Sequence, residues 1–208
     1  MTRPDLLRWN SRYATPDYVF GEAPNAFLRR HAEGLPSGKP PHSRKALCVA
    51  DGEGRNGVWL AEQGWDVMSL DFSEVAQRKA AELAAQRGVM LRMELADVHT
   101  WNYPEAVFDL VVDIFSQFSA PSDRVLKWAG MQRALKPGGL LILQGYTPEQ
   151  LRHCTGGPSE PANLYTDPML RTAFAGLTIL LIDESETVLD EGAGHSGTSA
   201  VIGMVAKA

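Results

Sequence analysis

A doubly wound α/β sheet, mostly parallel, with a helical extension ahead of it and an antiparallel hairpin closing it, is the fold class this chain predicts. Three observations carry that reading. From Lys45 onward, short apolar runs alternate with stretches of helical spacing, the signature of strands joined by crossover helices. The first run, Ala46–Ala50, leads straight into a turn holding Gly52, Gly54 and Gly57. After Leu177 the pattern changes: two extended runs, Leu177–Leu189 and Ala200–Ala206, flank a glycine-rich turn with no room for a helix between them.

Taken in order, Leu6, Leu7, Trp9 and Tyr13 predict a short N-terminal helix, and Pro24 suits the first turn of a second that reaches His31. Gly34–Pro41 is dense in breakers and reads as a linker. Residues 1–44 are therefore expected to form a helical lid and linker, and residues 45–208 the main domain. Within the domain, Ala46–Ala50 is a strand and Arg55–Gln63 a helix, followed by a strand over Asp66–Asp71. Ser73 caps the next helix, which buries Ala76, Ala80 and Leu83 on one face and ends at Gly88. Leu91–Leu95 and Phe108–Ile114 are strands. Pro121–Leu135 is a helix expected to face Val125, Trp128, Met131 and Leu135 inward. Pro137-Gly138-Gly139 then turns into a strand over Leu140–Gln144.

At 208 residues, 44% hydrophobic and 22% charged, the chain has the size and composition of one globular domain. Its net charge of -5 argues against generic nucleic-acid binding, which needs a basic footprint. Cys48 and Cys154 share no metal or redox spacing, and a reduced, cytoplasmic protein is expected. No leader-like apolar segment follows Met1, and the longest apolar runs are strand-sized, so no membrane partner is expected. A monomer or homodimer is the expected assembly.

The glycine turn predicts a nucleotide-type site. Its G-x-G-x-x-G spacing sits between strand and helix, where backbone N–H groups approach a ligand. Asp71 ends the second strand about 20 residues on, the place at which a ribose diol is held. Asp51 and Glu53 flank Gly52. Carboxylates there would repel a dinucleotide pyrophosphate by roughly 4 kcal/mol per close charge pair at an effective dielectric near 20. The same groups attract the sulfonium and ammonium of S-adenosylmethionine, the expected cofactor.

The terminal hairpin, Leu135-Lys136-Pro137-Gly138-Gly139 and the glycine turn together resemble the class I S-adenosylmethionine-dependent methyltransferases, whose fold is Rossmann-like. A narrower resemblance, to the TehB-like tellurite-resistance and thiopurine methyltransferase group, rests on Trp9-Asn10-Ser11-Arg12-Tyr13, Tyr18-Val19-Phe20-Gly21, Gly52-Glu53-Gly54-Arg55-Asn56 and Ile114-Phe115. The resemblance implies that Asp51, Gly52 and Gly54, with Asn56, cradle the methionine half of the cofactor. Asp71, with Phe72 beside it, would hold the ribose, and Asp97 with Val98 would read adenine. Ile114 and Phe115 would line the pocket, while Trp9 and Arg12 would close over it from the lid. The chain departs from the class at Cys48, where many members carry an acid, and at Ala50, where many carry glycine.

His195, in the hairpin turn with Glu191 four residues before it, is the catalytic candidate; a plain exposed turn is the alternative. Arg12, Arg152 and Arg171 are candidates to hold an anionic acceptor. Trp59, Trp65, Trp101 and Trp128 read as packing residues. The expected activity is methyl transfer to a small molecule such as a thiol or a chalcogen oxyanion. The alternatives are an NAD(P)-dependent oxidoreductase and a non-catalytic S-adenosylmethionine-binding module.

Overall fold

A computed structural model of the chain describes residues 3–36, 43–153 and 155–208. Most of the Gly34–Pro41 linker, His42 and Cys154 lie outside the described residues. Seven strands form one sheet: β1 (Lys45–Val49), β2 (Asp66–Asp71), β3 (Arg92–Leu95), β4 (Phe108–Ile114), β5 (Leu135–Tyr146), β6 (Thr178–Asp190) and β7 (Ser196–Lys207). Their spatial order is β3-β2-β1-β4-β5-β7-β6. The first five run parallel, and β7 enters antiparallel between β5 and β6. The switch point falls between β1 and β4, the place where an open α/β sheet binds its ligands.

The helices are α1 (Arg3–Tyr13), α2 (Ala26–Ala32), α3 (Arg55–Glu62), α4 (Glu74–Gln86), α5 (Pro121–Ala134) and α6 (Asp167–Ala173). Ser73 caps α4 through a side-chain bond to the Ala76 amide. Pro24 precedes α2 rather than opening it, because Asn25 caps that helix by accepting the Leu28 amide. Between β5 and α6 the chain makes two short 3-10 turns, Pro148–Arg152 and Pro161–Asn163.

Alternation along the strands divides the core between the two faces of the sheet. Leu47, Val49, Val111, Leu141 and Leu143 pack with Trp128 and Met131 of α5 and Leu170 of α6. Ala46, Cys48, Leu110, Val112 and Ile142 pack on the opposite face with Phe27 and Leu28 of α2 and Trp59 and Leu60 of α3. Burial on both faces is why these strands read as continuous apolar runs.

Val125 does not face inward: it is 62% exposed. The inner face of α5 instead carries Lys127, whose Nζ lies 3.1 Å from Asp113 on β4 with neither side chain exposed. The buried ion pair takes the place an apolar side chain would have held. Among the described residues no helix is long and apolar enough to cross a membrane.

Candidate functional site

Backbone strain marks where the strands end. Ala50, after β1, and Phe115, after β4, both adopt positive φ, at 51° and 53°. A side chain rarely accepts that conformation, and such residues gather where a fixed geometry serves a site. Between them lies the glycine turn. Gly54 has φ 84°, and a Cβ there would stand 2.6 Å from the Cβ of Ala80 on α4. A Cβ on Gly57 would stand 2.4 Å from the Asp51 carboxylate. The glycines thus seat α3 and α4 closely and leave room for a buried carboxylate.

Asp51 accepts the Ser69 hydroxyl at 2.8 Å and the Gly57 amide at 3.3 Å. Asp71 accepts the amides of Gly52 at 2.9 Å and Ser73 at 2.8 Å, and is only 3% exposed. Burial pushes both carboxyls up to about 6, with these hydrogen bonds opposing it and the charge of Asp51 raising Asp71 further. Neither has an ion-pair partner within 4.0 Å among the described residues. Glu53, expected beside the ligand, is instead neutralised by Lys79 at 2.5 Å. The second carboxylate at the turn is therefore Asp71.

The N-terminal segment lies directly over this turn. Lys79 donates to the backbone carbonyls of Tyr13, Thr15 and Asp17, and the Asn10 side-chain oxygen Oδ1 accepts the Ser73 hydroxyl. The Tyr13 hydroxyl sits 2.9 Å from where a Cβ on Gly52 would be. Trp9 stacks on Tyr13 with ring centres 5.5 Å apart, and Arg12 lies over both Trp9 and Phe20.

Two adjoining cavities result. The inner one is lined by Trp9, Asp51, Gly52, Asn56, Asp71, Phe72, Ile114, Phe115 and His195, so it gathers most of the residues named from the sequence. Its volume is about 50 Å³. The outer one, about 380 Å³, is walled by Trp9, Arg12, Phe20, Phe118, Tyr146 and Gln117. Trp9, Phe20, Phe115, Phe118 and His195 line both.

His195 is no exposed turn residue. The hairpin tip reaches the carboxyl end of the parallel strands, and its imidazole is 7% exposed. Nδ1 is hydrogen-bonded to the Tyr146 hydroxyl, and the ring packs against Phe115 at 4.4 Å and Phe20 at 4.5 Å. Burial, with the guanidinium charges of Arg55 and Arg12, lowers it to about 3. The imidazole is neutral at physiological pH.

Other candidates fall elsewhere. Val98 is fully buried in the core, and Asp97, which accepts the His99 amide at 2.9 Å, lies outside both cavities. Arg152 stands near Glu149 on a 3-10 turn and Arg171 is paired with Asp167 on α6. Neither lines the site, so they do not serve as anion holders there. The sequence reading missed Arg55, Tyr146 and Phe118. Tyr146 had a usable signal, since it ends a parallel strand at the switch-point side; Phe118 had none.

Residues 46–139 match the family model described as a methyltransferase domain. A glycine/sarcosine N-methyltransferase of Parasynechococcus marenigrum (strain WH8102) is 31% identical over 66% of this chain and 45% of its own length. The chain spans between 33% and 60% of the curated relatives it matches. A structure from work on the conversion of a disulfide bond into a thioacetal group during echinomycin biosynthesis superposes with a TM-score of 0.77. It is 21% identical and covers 98% of this chain and 92% of that one. TehB from Haemophilus influenzae superposes at 0.68, with 19% identity over 96% of this chain and 65% of that one. Likeness of this degree shows a shared overall fold.

Proposed function

We propose, from the premise that this chain belongs to the class I S-adenosylmethionine-dependent methyltransferases, that it transfers a methyl group to a small-molecule acceptor at the junction of the two cavities. The observation that carries the reading is the pair of desolvated carboxylates, Asp51 and Asp71, held at the glycine turn with no ion-pair partner within 4.0 Å among the described residues. That donor set fits a sulfonium-bearing cofactor and disfavours a pyrophosphate.

The inner cavity fits it in chemistry but is too small as it stands, since ligand pockets run to about 300 Å³ or more. Trp9 and Tyr13 fill the remaining space, so residues 1–30 act as a lid that withdraws for entry and closes again. In this reading Asp71 and Phe72 meet the ribose, and Gly52 with Asn56 lies along the methionine half. When bound, the cofactor supplies an already activated methyl group.

The protein's own residues then orient the acceptor and exclude water. Phe20, Phe115, Phe118 and Tyr146 give the outer cavity aromatic walls. Held neutral and fixed by Tyr146, His195 offers the acceptor a hydrogen bond rather than a ready base. That favours an acceptor that is nucleophilic without help, such as a thiolate or a chalcogen oxyanion.

A thermal-shift titration with S-adenosylhomocysteine and NAD tests the cofactor: the former should raise the melting point and the latter should not. The reverse ranking overturns the reading in favour of an oxidoreductase. Incubation with S-adenosylmethionine and a panel of thiols, selenite and tellurite should give methylated product. Cofactor binding without any product across wider panels would favour a non-catalytic binding module.

A further inference from the structure

Packing alone gives no reason for a buried lysine on α5. The Lys127 side chain is fully buried 3.1 Å from Asp113, and an ion pair so placed is commonly no more stabilising than apolar side chains of the same volume. The three donors of its ammonium reach beyond the pair. Besides Asp113, Nζ donates to the Ser116 carbonyl at 3.2 Å and to the Ser116 hydroxyl, which in turn donates to Asp113. Nζ also lies 5.8 Å from the centre of the Phe118 ring. The lysine therefore grips the loop that follows β4, next to Phe115 at φ 53°. A strained residue keeps such a conformation only where its surroundings over-determine it. The rest of the loop is held from other sides. Gln117 donates to the carbonyls of Tyr146 and Asn163, and the Ser119 hydroxyl lies 2.7 Å from Nε2 of His99.

We propose that Lys127 and Asp113 are positioning residues for the acceptor: through Ser116 they fix residues 115–118 as the wall that the two cavities share. This rests on the reading of the outer cavity as the acceptor's and deepens it. Phe115 and Phe118 line both cavities and Gln117 lines the outer one, whereas Lys127 and Asp113 line neither. Their effect on methyl transfer therefore passes through the loop. Asp51 and Asp71 take their hydrogen bonds from residues outside it, so the hold on the cofactor is expected to outlast its loosening.

Fluorine NMR with 4-fluorophenylalanine at the seven phenylalanines reads the wall without any ligand. Replacing Phe115 and Phe118 in turn by leucine assigns their signals. In Asp113→Leu/Lys127→Met, apolar side chains fill the place of the pair, and the protein should stay folded with a urea midpoint above that of Lys127→Met alone. The Phe115 and Phe118 signals should broaden or split while those of the other phenylalanines stay sharp. Affinity for S-adenosylhomocysteine should remain within about threefold, whereas kcat/KM should fall about 10- to 100-fold, the scale of a misplaced reactant. The acceptor probe is benzenethiol, or the thiol, selenite or tellurite that the parent methylates. Ser116→Ala cuts the hydroxyl link and keeps the ion pair; it should act in the same sense to a smaller degree, and it serves should the double variant fail to fold. Sharp Phe115 and Phe118 signals in both variants, broadening of every phenylalanine together, or an unchanged kcat/KM overturns the proposal. So does an equal loss of cofactor affinity and kcat/KM. A parent protein that binds S-adenosylhomocysteine but methylates none of these acceptors overturns the acceptor reading itself, and the role of the wall with it, even where the signals move.

Discussion

Replacing Asp71 by alanine would leave the amides of Gly52 and Ser73 buried without an acceptor. Each orphaned donor costs about 1–3 kcal/mol, so Asp71→Ala should lower the stability of the ligand-free protein as well as its cofactor affinity. A side chain at the rim of the pocket would have touched affinity alone; burial makes this one structural. Urea denaturation without ligand is the check. The same burial sets a pH dependence. Asp51 and Asp71 titrate near 6 in the folded protein against 3.8 otherwise, so the folded state holds more protons between those values. Their stabilising contribution is present below pH 3.8 and is lost as pH rises through 6. His195 acts oppositely: depressed to about 3, it makes the folded state hold fewer protons between there and 6.5, and stability rises with pH across that window. Between pH 4 and 6 the two oppose each other. Two carboxyls outweigh one imidazole, so the parent's denaturation midpoint should fall with rising pH over that range; in His195→Asn it should fall more steeply, and in Asp51→Asn, with one carboxyl left against the imidazole, it should be nearly flat. Identical slopes in all three proteins would mean these groups titrate normally.

The element on which most depends is the N-terminal segment, and one lysine fastens it. Lys79, 7% exposed, holds Glu53 and three carbonyls of residues 13–17. Breaking a buried pair by removing one partner costs about 3–5 kcal/mol, so Lys79→Met should destabilise the protein by that order. It should also raise amide exchange between Leu6 and Leu28. In the parent protein those amides should gain protection when S-adenosylhomocysteine binds; equal protection with and without ligand would make the segment a fixed layer rather than a lid. The sequence pointed to this element through its aromatic residues, which are too concentrated for a solvated tail. It did not disclose the fastening, because a lysine on an otherwise amphipathic helix reads as solvated. The same blind spot explains Val125, expected inside because periodicity assigns inner positions to apolar side chains, whereas Lys127 holds that face. Strands β2 and β4 were legible to the residue, each an apolar run bounded by turn residues. Helix α6, only seven residues long, was not. Its sole local sign was Thr166 before Asp167-Pro168, a capping pattern without a periodic run behind it.

At the scale of the molecule, the sheet is tied to α5 by polar contacts as well as by the core. Lys127 and Asp113 join α5 to β4 with no exposure at all, and Ser116 is hydrogen-bonded to both. Lys127→Met should cost about 3–5 kcal/mol, because it leaves Asp113 buried and unpaired. Adding Asp113→Asn should recover part of that loss, and a double-mutant cycle by urea denaturation measures how much. Strictly additive losses would mean the two residues do not interact. The turn and Asp71 could be read from the sequence because they are local to one βαβ unit. Arg55 and Glu191 could not, since their pairing exists only once the last hairpin has met the first helix of the sheet.

That late meeting has a consequence for synthesis. Strand β7 lies between β5 and β6 although it is the last of the seven in the chain. A ribosome has therefore delivered every parallel strand, the glycine turn and the carboxylates well before the strand that covers the outer edge of β5. Until residues 196–207 emerge, that edge, with Leu140 to Leu143 along it, is an open template for pairing with another chain. Glu191 and His195 arrive only moments earlier. While residues 1–190 are being made, that edge stays uncovered and Arg55 lacks Glu191, and residues 191–207 complete both together.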